Sequence, residues 1–375
     1  MQVPARLPRL PRLLHWLFRA GNLLFGIAVL ICSLAILSVI PFLNFLSLGY
    51  LLHASSRVAR SGRWRDGLVG IRSAARIGGL FLGLTLITLP IRFASGLWKD
   101  AELVAPGSPR AGLARILVGA LIGVTLVHGM WAIRRGGRLH HFLWPAPLRL
   151  LRWLQNRESL PSPGSDFLPF IRGLHLDSFF WLGARGFIGT LLWLAIPVGL
   201  LGIATQLAPE KGGALLSFIG AALLIPVTLH LPFLQARFAL ENRFRALFEV
   251  RAIRSLFTRA PFAFWIALFV TVLSAIPLYL LKIELPPSEL QWLPALLFVL
   301  FMFPARILTG WAVGRALRHP QPRHGAFRWG SRLALVPVAF AYVLFVYLAQ
   351  YLSWNGTRGL LEQHAFLVPA PWASL

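Results

Sequence analysis

The chain has 375 residues, 57% of them hydrophobic and 13% charged, where a soluble domain carries about 25% charged residues. That balance excludes a string of soluble domains and points to membrane-spanning helices. The 37 basic residues against 12 acidic ones give a charge of +25, but the basic residues lie between apolar segments and form no domain of their own, which argues for anionic headgroups as partner and against nucleic acid.

Residues 1–22 carry Arg6, Arg9, Arg12 and Arg19 and no acid. Pro4, Pro8 and Pro11 keep the beginning irregular, and Arg12–Ala20 suits a short helix in the headgroup layer. The apolar run that follows continues past any small-residue cleavage site, so an uncleaved anchor is expected. It holds Cys32, the sole cysteine, which leaves no disulfide within the chain and no thiolate metal cluster.

Leu23–Leu52 is the first membrane segment. As one helix it would measure ~45 Å, longer than a ~30 Å hydrocarbon core requires. Pro41 and Asn44 interrupt it. Residues 53–76 then hold six arginines against Asp66 alone. Ser61-Gly62-Arg63 and Asp66-Gly67 are turn signals there, and Asp66 is expected to pair with a neighbouring arginine.

Seven crossings are expected at about Ile77–Trp98, Leu113–Ile133, Gly186–Ala204, Ala214–Gln235, Pro261–Leu281, Trp292–Trp311 and Leu333–Trp354. Gly119, Gly123 and Gly129 dilute the second and offer close helix approach. Trp98, Trp131, Trp292, Trp311 and Trp354 sit near segment ends, where amphipathic rings prefer the interface. The loops at 53–76, 134–185, 236–260 and 312–332 are strongly basic, and the alternate ones are near neutral. The positive-inside rule puts the basic loops in the cytoplasm. Residues 1–22 are basic as well, so a single span between them and 53–76 would export one of the two. A re-entrant hairpin bent near Pro41–Asn44 removes the conflict, because backbone freed at a bend is tolerated where other helices cover it.

Two basic stretches, 146–157 and 240–259, read as interfacial amphipathic helices, the second with Glu241 and Arg245 at pairing distance. The expected fold is therefore all-α: a polytopic transmembrane helical bundle of about seven spans, one re-entrant hairpin and interfacial amphipathic helices. Its layout is a basic interfacial N-terminus (1–22), a single transmembrane domain (23–354) with a cytoplasmic insertion at 134–178, and a C-terminal tail (355–375).

The series Ile40-Pro41, Gly49-Tyr50, Arg57-Val58-Ala59-Arg60-Ser61-Gly62-Arg63, Asp66-Gly67 and Ile77-Gly78-Gly79 resembles an uncharacterised family of bacterial polytopic membrane proteins, a domain of unknown function. The resemblance covers the first 90 residues and, more loosely, 237–318. It implies an integral protein of the bacterial inner membrane, with no activity attached. Ile40-Pro41-Phe42-Leu43-Asn44 is also faintly similar to a family of sulfate permeases with half-inserted hairpins.

No acidic residue falls in the middle of an expected span. This counts against a proton- or sodium-coupled carrier and removes the paired acids of a glycosidase or two-metal hydrolase. No phosphate loop, nucleophile elbow or zinc motif is present, so neither enzyme activity, nor a cofactor, nor a metal is expected. Arg92 and Arg306 lie within spans and are expected to snorkel to the interfaces. His128 and His230 read as packing residues. Asn44, a polar amide at a helix break, needs a partner. Arg57, Arg60, Arg63 and Arg65 could gather phosphate or sulfate near that break. The ligand-binding candidates are accordingly Asn44, Arg57, Arg60, Arg63, Arg65 and Arg92. The expected function is permease-like handling of a small anion or lipid headgroup. The alternative is a structural or assembly protein whose basic face holds anionic lipid or a membrane-protein partner.

Overall fold

The computed structural model describes residues 12–148, 172–207, 212–280 and 292–352, and all regular structure among them is helical. The helices are α1 (Arg12–Val39), α2 (Asn44–Ser61), α3 (Ile71–Val104), α4 (Pro109–Arg134), α5 (Leu139–Leu143), α6 (Leu176–Ala204), α7 (Gly213–Glu241), α8 (Val250–Arg259), α9 (Pro261–Leu280), α10 (Trp292–Arg318) and α11 (Gly325–Leu352). Short 3₁₀ turns occupy Trp64–Gly67 and Phe244–Phe248. The architecture is the expected all-α polytopic helical bundle.

Among the described residues, seven helices are long and apolar enough to cross a membrane: α1 from Arg19, α3, α4, α6, α7, α10 and α11. The number agrees with the sequence reading, but the membership does not. α1 qualifies on its own, whereas α9 qualifies together with α8, as a pair bent by 113°. The amphipathic helix expected over 146–157 lies mostly outside the described residues. The one expected over 240–259 is broken. α7 runs on to Glu241, Asn242 takes a left-handed conformation (φ 55°), the 3₁₀ turn follows, and only then does α8 begin. The apolar side of α8 is also not offered to lipid. Ile253, Leu256 and Phe257 are buried in the protein.

The chain divides into two compact units, Met1–Leu30 with Gly70–Leu174, and Ile31–Val69 with His175–Leu375. In the first unit, α3 and α4 form an antiparallel pair joined at 105–108. Ser108 caps α4 by accepting from Ala111 N–H, with Pro109 in the first turn, where its missing donor costs nothing. α5 fits against Gly79 and Gly83 of α3. The His128 ring bonds Phe142 O at 2.7 Å. Gly129 of α4 meets Ile87, but Gly112, Gly119 and Gly123 face open space, so three of its four glycines serve no helix contact among the described residues. Trp131 is likewise buried and not at an interface; its indole donates to Pro145 O.

The second unit is built around α2. The chain breaks before it over Ile40–Leu43, where Phe42 has φ 64°. The Ser38 and Ser47 hydroxyls are 3.0 Å apart; in a continuous helix, residues nine apart would stand ~13.5 Å apart. The bend therefore falls where Pro41 and Asn44 place it. α2 ends at Gly62, which adopts φ 73° and donates its N–H to Val58 O, a left-handed cap that glycine supplies without steric cost. Between these ends α2 packs against α6, α7 and α10. It runs parallel to α10, with Tyr50 beside Phe303, Ser55 beside Gly310 and Ala59 beside Gly314. It crosses α6 at a reciprocal glycine contact. A methyl on Gly49 would collide with the Phe179 carbonyl, and one on Gly183 with the Phe45 carbonyl. The Gly49-Tyr50 pair thus has a packing reason: only glycine lets the two backbones touch.

Candidate functional site

Inside the second unit, α6, α7 and α10 bring three polar side chains together. The Arg306 guanidinium donates to Gln235 Oε1. Gln235 Nε2 donates to Thr190 Oγ1 at 2.5 Å, and Thr190 returns its hydroxyl proton to Gly186 O at 2.8 Å. Gln235 and Thr190 are fully buried, and Arg306 is 4% exposed. This corrects the expectation that Arg306 snorkels to an interface. It lies on the side of α10 that carries Phe303, Ala305 and Thr309, all buried, so its side chain meets α7 before it can reach water. A hydrogen-bonded charge inside membrane-spanning helices is a functional candidate by default. The signal that could have found it was Gln235, an amide at the end of an expected apolar span. An inventory restricted to ionisable groups and Asn44 passes over it.

The expected site residues divide between the units. Asn44 is 1% exposed at the start of α2, and its Oδ1 has no hydrogen-bond partner. Ser55 Oγ, on the same helix, is also buried without one. Arg57 is exposed. Arg60 donates to Leu240 O at 2.8 Å, satisfying a carbonyl in the last turn of α7. Arg63 and Arg65 are exposed around the 3₁₀ turn. Asp66 forms no ion pair among the described residues, so the expected partner does not appear there; its N–H bonds Arg63 O instead. Arg92 belongs to the other unit, exposed on α3.

His53 follows Asn44 on α2. Its ring stands 5.2 Å from that of Phe179 on α6. Burial, and then the charges of Arg57, Arg60 and His175, push its pKa below the ordinary 6.5. Close by, the end of α7 is held by ion pairs. Arg237 bonds Glu241 and Glu249, each at 2.7 Å, and Arg243 joins the same two carboxylates. Glu241 therefore pairs backward to Arg237 and across the turn to Arg243, not forward to Arg245. The cause is that the helix stops at Asn242. An open cleft of about 450 Å³ lies beside Phe248–Ala252. Among the described residues, no three His, Cys, Asp or Glu side chains stand close enough to hold a metal ion.

Residues 151–285 match the model of a family described as a protein of unknown function, DUF4013. No curated protein and no solved structure matches the chain. The matched stretch takes in α6, α7, the second 3₁₀ turn, α8 and all of α9, and thus Thr190, Gln235 and the ion pairs of Arg237 and Arg243 with Glu241 and Glu249. A domain of unknown function agrees with the resemblance drawn from the sequence, but its position does not. The Ile40-Pro41 to Gly79 series lies outside the match, and only 237–285 is common to both.

Proposed function

We propose that this integral membrane protein is a non-enzymatic, permease-like component of a bacterial cytoplasmic membrane that handles a small oxyanion or an anionic lipid headgroup. The observation that carries the reading is the buried Arg306 guanidinium, fixed by Gln235 and Thr190 among membrane-spanning helices. Guanidinium groups match oxyanions in both charge and geometry. The unpartnered Asn44 carbonyl at the break before α2 supports it, and so do the arginines at the far end of the same helix. The bend before α2 is read as the turn of a re-entrant hairpin, with residues 1–22 and 53–76 both cytoplasmic. A reporter fused at residue 3 that proves periplasmic rejects that topology.

The test is uptake of labelled sulfate and phosphate by proteoliposomes. Wild-type protein is expected to exceed empty vesicles, and Asn44→Ala and Arg306→Gln to lose the excess while keeping a cooperative melt. Flux equal to empty vesicles, or flux untouched by both changes, contradicts the reading. A second reading, an assembly protein, is favoured by the exposed arginines 57, 63 and 65. It requires a co-purifying partner and insensitivity to the two interior changes.

A further inference from the structure

We propose that His53, Arg57 and Arg60 of α2, with His175 at the start of α6, form a binding site for a phosphate group, carried by a phosphomonoester lipid or present as the free ion. The proposal rests on the anion-handling reading and gives it a ligand chemistry and a place. Residues 53, 57 and 60 follow one another at helical spacing and so share one stripe of α2. The His53 ring stands 5.2 Å from that of Phe179 on α6, and Phe179 donates its N–H to His175 O at 3.1 Å, one turn back, so two helices bring four basic residues to one locality.

The platform beneath them is rigid. The Gly49–Gly183 crossing puts the α2 and α6 backbones in contact. Tyr50 packs on Phe179 and donates to Val69 O at 2.8 Å. The His53 ring meets the same phenylalanine edge-on. Arg60 is tethered to Leu240 O, which fixes where its guanidinium stands.

Among the described residues, no carboxylate pairs with His53, Arg57 or Arg60. The ion pairs among the described residues join Arg237 and Arg243 to Glu241 and Glu249. Asp177, the nearest acid in sequence, is exposed and forms none. Like charges held together raise the energy of the folded state, and a dianion placed among them lowers it. Phosphate presents several oxygens to several donors and pairs with guanidinium in a bidentate manner. Arg57 is exposed and His53 only half-buried, so a ligand can reach the site.

Full-length protein in nanodiscs would be titrated with labelled inorganic phosphate, and lipid retention would be measured by native mass spectrometry in discs containing phosphatidic acid or phosphatidylcholine alone. Wild-type protein is expected to bind phosphate or to retain phosphatidic acid over phosphatidylcholine. His53→Gln and Arg57→Gln are each expected to weaken that binding about tenfold or more. Arg57→Lys keeps the charge and should recover part of the loss. Arg251→Gln, an equal change of charge on α8, should leave binding unchanged. Retention of the lipid alone, or of the ion alone, supports the site and names its source. The proposal is overturned if wild type binds neither probe, or if the two glutamine variants bind as wild type does. Loss of uptake with this binding intact would count against the permease reading and not against the site. Uptake that persists without this binding would count against the site alone.

Discussion

α2 and α4 invert the pattern expected of a soluble protein. α4 is apolar from Ile116 to Ile133 apart from Thr125 and His128, and its large side chains point outward: Leu113 is 73% exposed, Ile116 72% and Val124 65%. α2 carries Asn44, Ser47, Ser55 and Ser56, and it buries them along with Leu48, Leu52 and Val58. α4 is recognised as a candidate membrane helix from its sequence, despite the glycines that dilute it. α2 falls short: only its first half, to Leu52, belongs to an apolar run, and as a whole it is not apolar enough to cross a membrane. The comparison teaches that apolarity marks the helices offered to lipid. The helix enclosed by other helices is free to be polar, because protein groups and not hydrocarbon meet its side chains.

The largest expected effect sets the glycines of the two helices against each other. Gly49→Leu or Gly183→Leu forces α2 and α6 apart against backbone atoms. The cost is expected at about 3 kcal/mol or more, seen as loss of the monodisperse peak and of cooperative melting in detergent. Gly119→Ala and Gly123→Ala, which face open space on α4, should leave the melting temperature equal or slightly higher. Equal damage at both pairs would remove the contrast.

A smaller difference separates the two arginines within spans. Gln235→Leu takes the Oε1 acceptor from the buried Arg306 guanidinium and is expected to cost about 2 to 3 kcal/mol. Arg92→Leu on the exposed face of α3 should stay within about 0.5 kcal/mol. Denaturation in mixed micelles measures both. A silent Gln235→Leu would mean that the interior chain does not hold Arg306.

The smallest effect is that of pH on α2. The His53 pKa is pushed down in the folded state, first by burial and then by Arg57, Arg60 and His175. The unfolded chain therefore binds the proton more readily. Stability from this group is present above the ordinary 6.5 and is lost as pH falls through the lower folded value. Thermal melts in that acidic window should fall less steeply for His53→Gln than for wild type. Added phosphate should restore part of the wild-type loss. Identical pH profiles would separate His53 from the neighbouring charges.

Much of the fold was legible in the sequence, because spans exposed to lipid declare themselves as apolar runs between arginine loops. The bend at Pro41–Asn44 was legible too, from a proline and an amide inside a run too long for one span. Three features were not. The face on which Arg306 lies depends on packing of α10 against α7, and both faces of α10 are apolar. The end of α7 at Glu241 is set by a left-handed Asn242 and the ion pairs beyond it, while helical periodicity alone carries the pattern through to Arg259. The contact of His53 with Phe179, one turn from His175, depends on a helix crossing between residues more than a hundred positions apart, and neither histidine stands out in its own segment.

On this reading α2 is shielded by protein while α4 faces lipid. Labelling by a phospholipid with a photoactivatable carbene in its acyl chain, followed by peptide mapping of the full-length protein in nanodiscs, tests it most directly. Adducts are expected on Leu113, Ile116 and Val124 of α4 and none on Leu48, Leu52 or Val58 of α2. Acyl-chain adducts on those α2 residues, at a yield comparable with α4, would contradict this reading.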